Sequence, residues 1–291
     1  MDQRIINLYD RFTHGGMTRR DFLDRLAEVA GSAAAGAVLL PLLQSDYARA
    51  AIIAPEDARL VSEKITYDAP KGKTFGYLSR PKAKGKRPAV IVIHANRGTN
   101  PHIEDVTRRF AAEGFLALAP DLLSPFGGTP ASDDAARDLF AKIDRNDATI
   151  PVATVSFLKS HAESTGKVGA VGFCFGGDMV NLLAVNSPEL DAAVVYYGSV
   201  PADKSKVKDI TAPLLLHYAG LDQRVNAGIA AYEEALKANG KRYTIHMYPD
   251  VNHAFSDDTG AARYNKAATD LAWGRTIAFF KETLGAPPKA A

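Results

Sequence analysis

The sequence predicts an α/β fold in which a doubly wound, mostly parallel sheet carries helices on both faces. Short apolar runs rich in valine and isoleucine, such as residues 89–94, are typical of strands buried on both sides of a sheet. These runs alternate along the chain with segments of helical periodicity, such as residues 103–113. With 291 residues, of which 46% are hydrophobic and 23% charged, the chain can form one such domain with an appendage.

The predicted elements follow one another in a regular order after residue 51. Two strands, residues 63–68 and 75–79, are expected to pair antiparallel around a turn at residues 70–73. The further predicted strands are residues 89–94, 115–119, 167–171, 192–197, 213–218 and 243–248. The predicted helices are residues 103–113, two helices between 131 and 161, and residues 178–184, 227–238 and 261–284. Functional loops of such a sheet gather at the carboxyl ends of its strands, so a site is expected there.

The only cysteine, Cys174, lies at the centre of a Gly-x-Cys-x-Gly pattern between a predicted strand and a predicted helix. This pattern is a nucleophile elbow with cysteine in place of serine. Gly172 and Gly176 lack a Cβ, which lets strand and helix pack closely around a nucleophile in a strained conformation. A lone cysteine is often a small buried core residue, and that alternative stays open. The glycine-flanked turn before a helix favours the nucleophile.

Two later strand ends carry partners for a nucleophile. Asp222 follows the strand at 213–218 and His253 follows the strand at 243–248, which gives the order Cys, Asp, His of an α/β-hydrolase triad. A thiol with a pKa of about 8.5 is mostly protonated at neutral pH, so it needs an imidazole to take its proton and a carboxylate to orient that imidazole.

Both partners have a structural alternative. Asp222 fits an Asx turn, and His253 fits a surface histidine, which is what His14, His102 and His161 are expected to be.

Composition argues against several other classes of function. The formal net charge is +2 and no basic run is interleaved with aromatic residues, so no nucleic-acid partner is expected. His94, His217 and His246 fall in or at the ends of predicted buried strands without a carboxylate or cysteine at ligand spacing, so neither a metal nor another cofactor is predicted. A single cysteine excludes an intramolecular disulfide.

Residues 1–50 differ in character from the domain at 51–291. Arg19 and Arg20 precede an alanine-rich apolar stretch, residues 29–43, and the small-residue motif Ala48-Arg49-Ala50. This arrangement resembles a twin-arginine export signal with its cleavage site, so the sequence favours a periplasmic protein. The apolar stretch is too short and too rich in alanine to favour a stable span of a bilayer about 30 Å thick.

A retained helical arm is the alternative for the same residues. Residues 4–12 have the pattern of an amphipathic helix, and Asp24 stands where such signals usually carry a basic residue. In that case the arm packs on the body or on a second subunit of a homodimer, and the protein stays in the cytoplasm.

Four short motifs together resemble the dienelactone hydrolase (carboxymethylenebutenolidase) family. They are residues 172–177 around the cysteine, Ala-Gly-Leu-Asp at 219–222, Asn-His-Ala-Phe at 252–255 and Ala-Pro-Asp-Leu at 119–122. The likeness runs from about residue 65 to residue 280, and cysteine in the elbow separates this family from most α/β-hydrolases.

The resemblance implies a role for each matched residue. Cys174 would be the nucleophile, His253 the base and Asp222 the residue that orients it, with the backbone N–H groups of Phe175 and Asn96 as the oxyanion hole. The chain would then be a hydrolase of small esters or lactones that acts through an acyl-cysteine intermediate, with a small molecule as its partner.

Ala95 departs from the family pattern. That position usually holds a glutamate that engages the resting thiol, so here the ionisation of Cys174 is expected to come from His253 and the helix N-terminus alone. This departure motivates one alternative, a catalytically impaired binding protein on the same fold. A second alternative treats the elbow as a scaffold and the N-terminal helices as the functional, interacting part.

The substrate pocket departs as well. The type enzyme holds the carboxylate of its substrate with two arginines, and these places read Ser-Pro-Phe at 124–126 and Ser-Asp-Asp at 256–258. The acidic pair would repel an anionic lactone, so dienelactone itself is not the expected substrate. Ala95, Arg97 and Phe126 are the candidate pocket residues, and Arg263 is a further nearby arginine that the sequence cannot place.

Overall fold

The computed structural model describes residues 1–47 and 51–290 of the chain. Its strands are β1 (Leu60–Ala69), β2 (Gly72–Pro81), β3 (Arg87–Ile93), β4 (Leu116–Pro120), β5 (Ser164–Phe173), β6 (Ala192–Tyr196), β7 (Leu214–Ala219) and β8 (Tyr243–Tyr248). Its α-helices are α1 (Gln3–Thr13), α2 (Arg19–Ala30), α3 (Ala33–Leu43), α4 (Pro101–Ala112), α5 (Asp133–Phe140), α6 (Thr149–Ser160), α7 (Phe175–Asn186), α8 (Gln223–Asn226), α9 (Ile229–Ala238) and α10 (Lys266–Leu284).

The strands form one eight-stranded sheet in the order β1-β2-β4-β3-β5-β6-β7-β8. β1 and β2 form the predicted antiparallel pair, and β2 also runs antiparallel to β4. From β4 across to β8, every neighbouring pair of strands is parallel. The predicted doubly wound, mostly parallel α/β fold is therefore confirmed.

The core lies on both faces of the sheet, because successive residues of a strand point to opposite sides. Ile91 of β3 belongs to an apolar cluster that includes Leu183 of α7. Its neighbour Val90 belongs to a second cluster, which includes Phe110 of α4 and Phe280 of α10. Helices thus cover both faces around β3 and β5, and this packing holds the ends of these central strands in place.

Two helices begin later in the structure than the sequence predicted. α10 begins at Lys266 rather than at residue 261, because the Asn265 side chain accepts a hydrogen bond from the Ala268 N–H at 3.0 Å. The helix predicted over residues 227–238 is confirmed as α9, which begins two residues later, and the short α8 precedes it.

Residues 1–47, the N-terminal arm, fold as three helices around a small apolar core. α1 is amphipathic, as predicted, and its apolar residues cluster with Phe22 and Leu26 of α2, both fully buried. The predicted cleavage motif Ala48-Arg49-Ala50 lies outside the described residues. In the described part of the chain no single helix is long and apolar enough to cross a bilayer; α2 and α3 meet that test only as a pair, with a bend of 112° between them.

The N-terminal arm lies over the carboxyl edge of the sheet. Its contacts reach the loops that follow β3, β7 and β8, where the functional loops of a parallel sheet gather. These contacts are the hydrogen bond from the Gln3 amide to Asn252 Oδ1 (2.5 Å), the hydrogen bond from the Asn96 amide to the Thr13 carbonyl (2.7 Å) and the ion pair of Asp10 with Arg224 (3.5 Å).

The elbow should be intolerant of a methyl group at Gly172. A Cβ there would overlap the backbone carbonyl of Gly176, and neither backbone segment can move without breaking the strand-to-helix packing. We expect Gly172→Ala to lower the free energy of unfolding by about 2 kcal/mol or more, as overpacking a core does. Urea denaturation with the m-value checked measures the change.

Gly274, inside α10, is the matched control. No atom lies within 4 Å of a Cβ built there, so Gly274→Ala should raise the free energy of unfolding by about 0.5 to 1 kcal/mol through helix propensity. Equal effects of the two substitutions would contradict the steric account of the elbow.

Candidate active site

Cys174 connects β5 to α7 in a strained conformation. Its φ of 55° and ψ of −118° are rare for a residue with a side chain, and such strain persists only where the surrounding structure enforces it. The Cys174 N–H donates to the Tyr196 carbonyl at 3.0 Å, and the Cys174 carbonyl accepts from the Gly177 N–H at 2.8 Å. Phe175 is the first residue of α7, so its N–H has no acceptor within the helix.

His253 and Asp222 form a buried pair beside this cysteine. The distance from His253 Nδ1 to Asp222 Oδ2 is 2.5 Å, and each residue is 5% exposed. A carboxylate only accepts hydrogen bonds, so Nδ1 carries the proton and Nε2 has the lone pair in the neutral ring. That Nε2 has no hydrogen-bond partner among the described residues, and a ring nitrogen of His253 lies within 4.8 Å of Cys174 Sγ.

Asp222 also has the structural role that its sequence context suggested. Its Oδ1 accepts a hydrogen bond from the Val225 N–H at 3.2 Å and so caps α8, while Oδ2 is left for His253. The turn and the imidazole contact therefore use different oxygens of one carboxylate. The cap fixes the direction in which that carboxylate points.

His14, at the end of α1, lies against the same sulfur atom. The distance from His14 Nε2 to Cys174 Sγ is 3.2 Å, and the His14 and His253 rings meet edge to face with centroids 4.9 Å apart. His14 Nδ1 lies 2.7 Å from the Asp10 carbonyl oxygen, which can only accept, so Nδ1 carries a proton and Nε2 faces the thiol. The prediction of a surface histidine was wrong for His14.

These charges control the ionisation of the thiol. Burial alone would raise the pKa of Cys174, but the positive charges of His253 and His14 outweigh burial and bring that pKa well below its ordinary value. Burial lowers the pKa of His253, but the Cys174 thiolate and the hydrogen bond that His253 donates to Asp222 raise it above its usual value. The expectation that only His253 and the helix N-terminus ionise the thiol therefore omits one imidazole.

The sulfur borders a cavity of about 60 Å³ enclosed between the body and the N-terminal arm. Ala95, Asn96 and Arg97 line it, as does Arg263, which the sequence could not place. Phe126 does not line this cavity: it sits on a short 3-10 helix after β4 and is 40% exposed. The hydrogen bond from the Phe75 N–H to the Ser124 side chain (2.9 Å) holds that turn towards β2.

Arg97 and Arg263 give the cavity positive charge. Arg97 is paired with Asp133 at 3.3 Å, whereas the Arg263 guanidinium lies 5.2 Å from the centre of the Tyr9 ring. The buried Nε of Arg263 has no hydrogen-bond partner in the part of the chain that the structure describes. Because a carboxylate already pairs with Arg97, whereas the Arg263 guanidinium stacks on a ring at the cavity wall, Arg263 is the better placed of the two to meet an anionic group.

The acidic pair that follows His253 is partly neutralised. Asp258 accepts a hydrogen bond from Arg109 at 2.5 Å and lies 3.0 Å from His102, which is buried rather than on the surface as predicted. The expected repulsion of an anionic substrate is therefore weaker than the sequence alone implies.

Two groups of side chains have the donor atoms and proximity that a metal ion requires. The ligand atoms of His14, Cys174 and His253 lie within 4.8 Å of one another, and so do those of His102, Asp257 and Asp258. A thiolate with two imidazoles is a donor set that zinc accepts. In the first group, His14 Nε2 already lies at hydrogen-bond distance from Cys174 Sγ, at 3.2 Å.

The chain belongs to the dienelactone hydrolase family, whose model matches residues 75–284. A second family model, described as YqhI-like, matches residues 1–32. A protein of Escherichia coli O157:H7 named "Putative carboxymethylenebutenolidase" is 33% identical over 221 residues, which cover 71% of this chain and 81% of that protein. "Protein usf" of Aquifex pyrophilus is 34% identical over 235 residues, which cover 77% of this chain and all (100%) of that protein.

Solved structures agree with this assignment. The crystal structure of a protein named "Putative Dienelactone Hydrolase" from Klebsiella pneumoniae subsp. pneumoniae MGH 78578 matches with a TM-score of 0.69 and 27% identity. The match covers 77% of this chain and 99% of that one. The chain is thus a hydrolase with the α/β-hydrolase fold, as the resemblance implied.

Cys174 should react with iodoacetamide in the native protein. Because its pKa is lowered well below the ordinary value, the rate constant should reach its plateau at lower pH than that of an ordinary thiol and fall only at more acid pH, where the thiolate is protonated. Mass spectrometry after timed quenching measures the rate.

The same protein in denaturant is the control, where the rate should rise through an ordinary thiol pKa of about 8.5. A cysteine that is labelled only after unfolding would show that the cavity does not present a reactive thiol.

Proposed function

We propose that this protein hydrolyses small esters or lactones through Cys174, His253 and Asp222, with an acyl-cysteine intermediate. One observation carries the proposal: His253 is hydrogen-bonded to Asp222 and turns its free nitrogen to the thiol at the N-terminus of α7. Membership of the dienelactone hydrolase family supports the same chemistry.

In the acylation step the thiolate attacks the carbonyl carbon of the ester, and the carbonyl electron pair moves to oxygen. The N–H groups of Phe175 and Asn96 would donate to this oxyanion, because both amides belong to segments beside the sulfur. Collapse of the intermediate breaks the C–O bond, and the leaving alkoxide takes the proton from His253 Nε2. With a lactone, the alkoxide remains attached to the acyl group as a hydroxyl.

In the deacylation step a water molecule attacks the thioester carbon while neutral His253 takes one of its protons. The second tetrahedral intermediate collapses with cleavage of the C–S bond, which releases a carboxylic acid and returns the thiolate. The acid loses its proton to solvent. Asp222 stays ionised throughout and stabilises the imidazolium, since the positive charge of His253 and their hydrogen bond lower its pKa against the effect of burial.

The cavity limits the acyl group. A volume of about 60 Å³ holds only a few water-sized groups, so short acyl chains or small lactones fit while the N-terminal arm is in place. The Arg263 guanidinium, which lines the cavity and stacks on the Tyr9 ring, supports a substrate that carries a carboxylate.

Replacement of the three residues tests the proposal. With a chromogenic acetate ester, Cys174→Ala and His253→Ala should each lower kcat/KM by about a thousandfold or more, and Asp222→Asn should lower it less, because orienting a base contributes less than supplying it. The Cys174→Ala/His253→Ala double variant should be no worse than the single variants.

His161→Ala is the matched control for His253→Ala, since His161 ends α6 away from the cavity. Rapid quenching of the wild type should also give an acetylated Cys174 peptide. A Cys174→Ala enzyme that remains active, or double-variant losses that multiply, would refute the triad and leave a binding protein as the alternative.

Arg263 should select for substrates with a carboxylate. We expect Arg263→Gln to raise KM about five- to tenfold for an ester with a carboxylate in its acyl part, equivalent to roughly 1 to 1.4 kcal/mol, and to leave a neutral ester nearly unchanged.

Arg137→Gln is the control for this effect, because Arg137 also stacks on an aromatic ring of α1, Phe12 at 4.9 Å, but does not line the cavity. A similar change for both esters would mean that Arg263 only positions the N-terminal arm.

A further inference from the structure

The N-terminal arm brings a second imidazole to the reacting sulfur. We propose that His14 is a catalytic residue that holds Cys174 as a thiolate while His253 moves protons to the leaving group and from water. The inference rests on the proposed function, because it requires Cys174 to be the nucleophile.

The geometry of His14 matches that of His253. Each ring has one nitrogen committed to an acceptor, Asp10 for His14 and Asp222 for His253, and turns the other nitrogen towards sulfur. The Asp10 carboxylate adds to this hold, with Oδ1 at 3.3 Å from His14 Nδ1. The Nε2 of His14 is therefore the atom that donates a hydrogen bond to the thiolate, at 3.2 Å from Cys174 Sγ.

The position of His14 is set by the body as well as by the N-terminal arm. The Asn96 amide donates to the carbonyl of Thr13, the residue before His14, at 2.7 Å. The side chain of His14 is only 16% exposed. Ala95, next to Asn96, presents a methyl group rather than a carboxylate, so in the described part of the chain two imidazoles are the groups that pair with the thiol.

Charges of both signs surround His14 when the thiol is ionised. Negative charge comes from Asp10 of α1, from the Cys174 thiolate and from Asp222 behind His253. The further acidic group, Asp178 of α7, has its pKa raised to about 6 by burial and by the charge of Cys174. Arg224 of α8 pairs with Asp10 at 3.5 Å, but it also lies 3.2 Å from His14 Nε2, where its positive charge opposes protonation of the ring. The Cys174 thiolate and Asp10 act in the other direction and favour the protonated ring.

Two imidazoles allow a division of labour. In the proposed mechanism His253 gives its proton to the leaving group and is neutral when water attacks, so one ring can carry the transferred proton in both steps. A second ring supplies a positive charge beside the resting thiolate. With two rings, His14 keeps its proton throughout. Its hydrogen bond to the sulfur weakens as the C–S bond forms and strengthens again as that bond breaks. His253 carries the transferred proton in both steps, so atoms and charges balance without another base.

The inference also bears on the fate of the N-terminal arm. Cleavage after Ala50 would remove His14 and uncover the cavity, whereas retention keeps both. The buried cluster of the arm and the family model that matches residues 1–32 support retention. We therefore extend the proposal to a mature enzyme that keeps residues 1–47, against the interpretation as a cleaved export signal.

The test is His14→Gln in the full-length enzyme. Loss of a positive charge beside the thiolate raises the pKa of Cys174, so the acid limb of kcat/KM should move to higher pH by about one unit. On that limb the activity falls about tenfold, and on the alkaline plateau it returns towards the wild-type value. The rate of iodoacetamide labelling should show the same shift, which a merely structural role would not produce.

His161→Gln provides the same substitution away from the cavity and should leave both profiles unchanged. Asp10→Asn retains His14 and should give a smaller shift in the same direction, which keeps the proposal testable if His14→Gln does not fold. A wild-type acid limb in both variants overturns the role of His14. Activity in Cys174→Ala overturns the proposed function instead, so the two failures are distinguishable.

The intact mass of the protein tests retention. Expressed in a bacterium with an active twin-arginine pathway, the protein should be recovered at full length. A mature chain that begins near Ala51 would overturn the proposal, because the active enzyme would then lack His14.

Discussion

A buried thiolate surrounded by imidazoles is the constraint on which the rest of the site depends. Removing a charge from water is costly unless that charge is paired, and the two rings beside Cys174, at the N-terminus of α7, lower the pKa of its thiol against the effect of burial. Each ring is oriented by an aspartate from its own surroundings. The loops after β7 and β8 and the end of α1 must therefore converge on one atom.

The sheet makes this convergence rigid. β3 and β5 are buried between two layers of helices, and the elbow extends from the end of β5 with its backbone under strain. Gly176 allows α7 to lie against the end of β3, where a Cβ would overlap the Ile93 carbonyl. Strain in the backbone and close packing of the glycines are thus two aspects of the same arrangement, and both hold the sulfur at the carboxyl edge of the sheet.

The N-terminal arm turns an open edge into an enclosed cavity. It places His14 beside the sulfur. Its Tyr9 ring stacks against the Arg263 guanidinium, and both of these side chains line the same cavity. Ala95 has no carboxylate to pair with the thiol, and the His14 imidazole of the N-terminal arm lies beside the sulfur instead. In the proposed function, acyl-group size, charge preference and ionisation of the thiol would therefore all depend on a segment outside the sheet.

By itself the sequence determined the alternation of strands and helices, the elbow, the chain order of Cys174, Asp222 and His253, and the family, because these depend on short-range patterns of apolar residues, glycines and strand ends. Only the tertiary structure brought His14 to Cys174, 160 positions away, since no spacing rule links a docked helix to the edge it covers. It likewise paired Asp258 with Arg109 and left Phe126 outside the cavity. Such contacts depend on how separately folded segments pack, which local sequence does not encode.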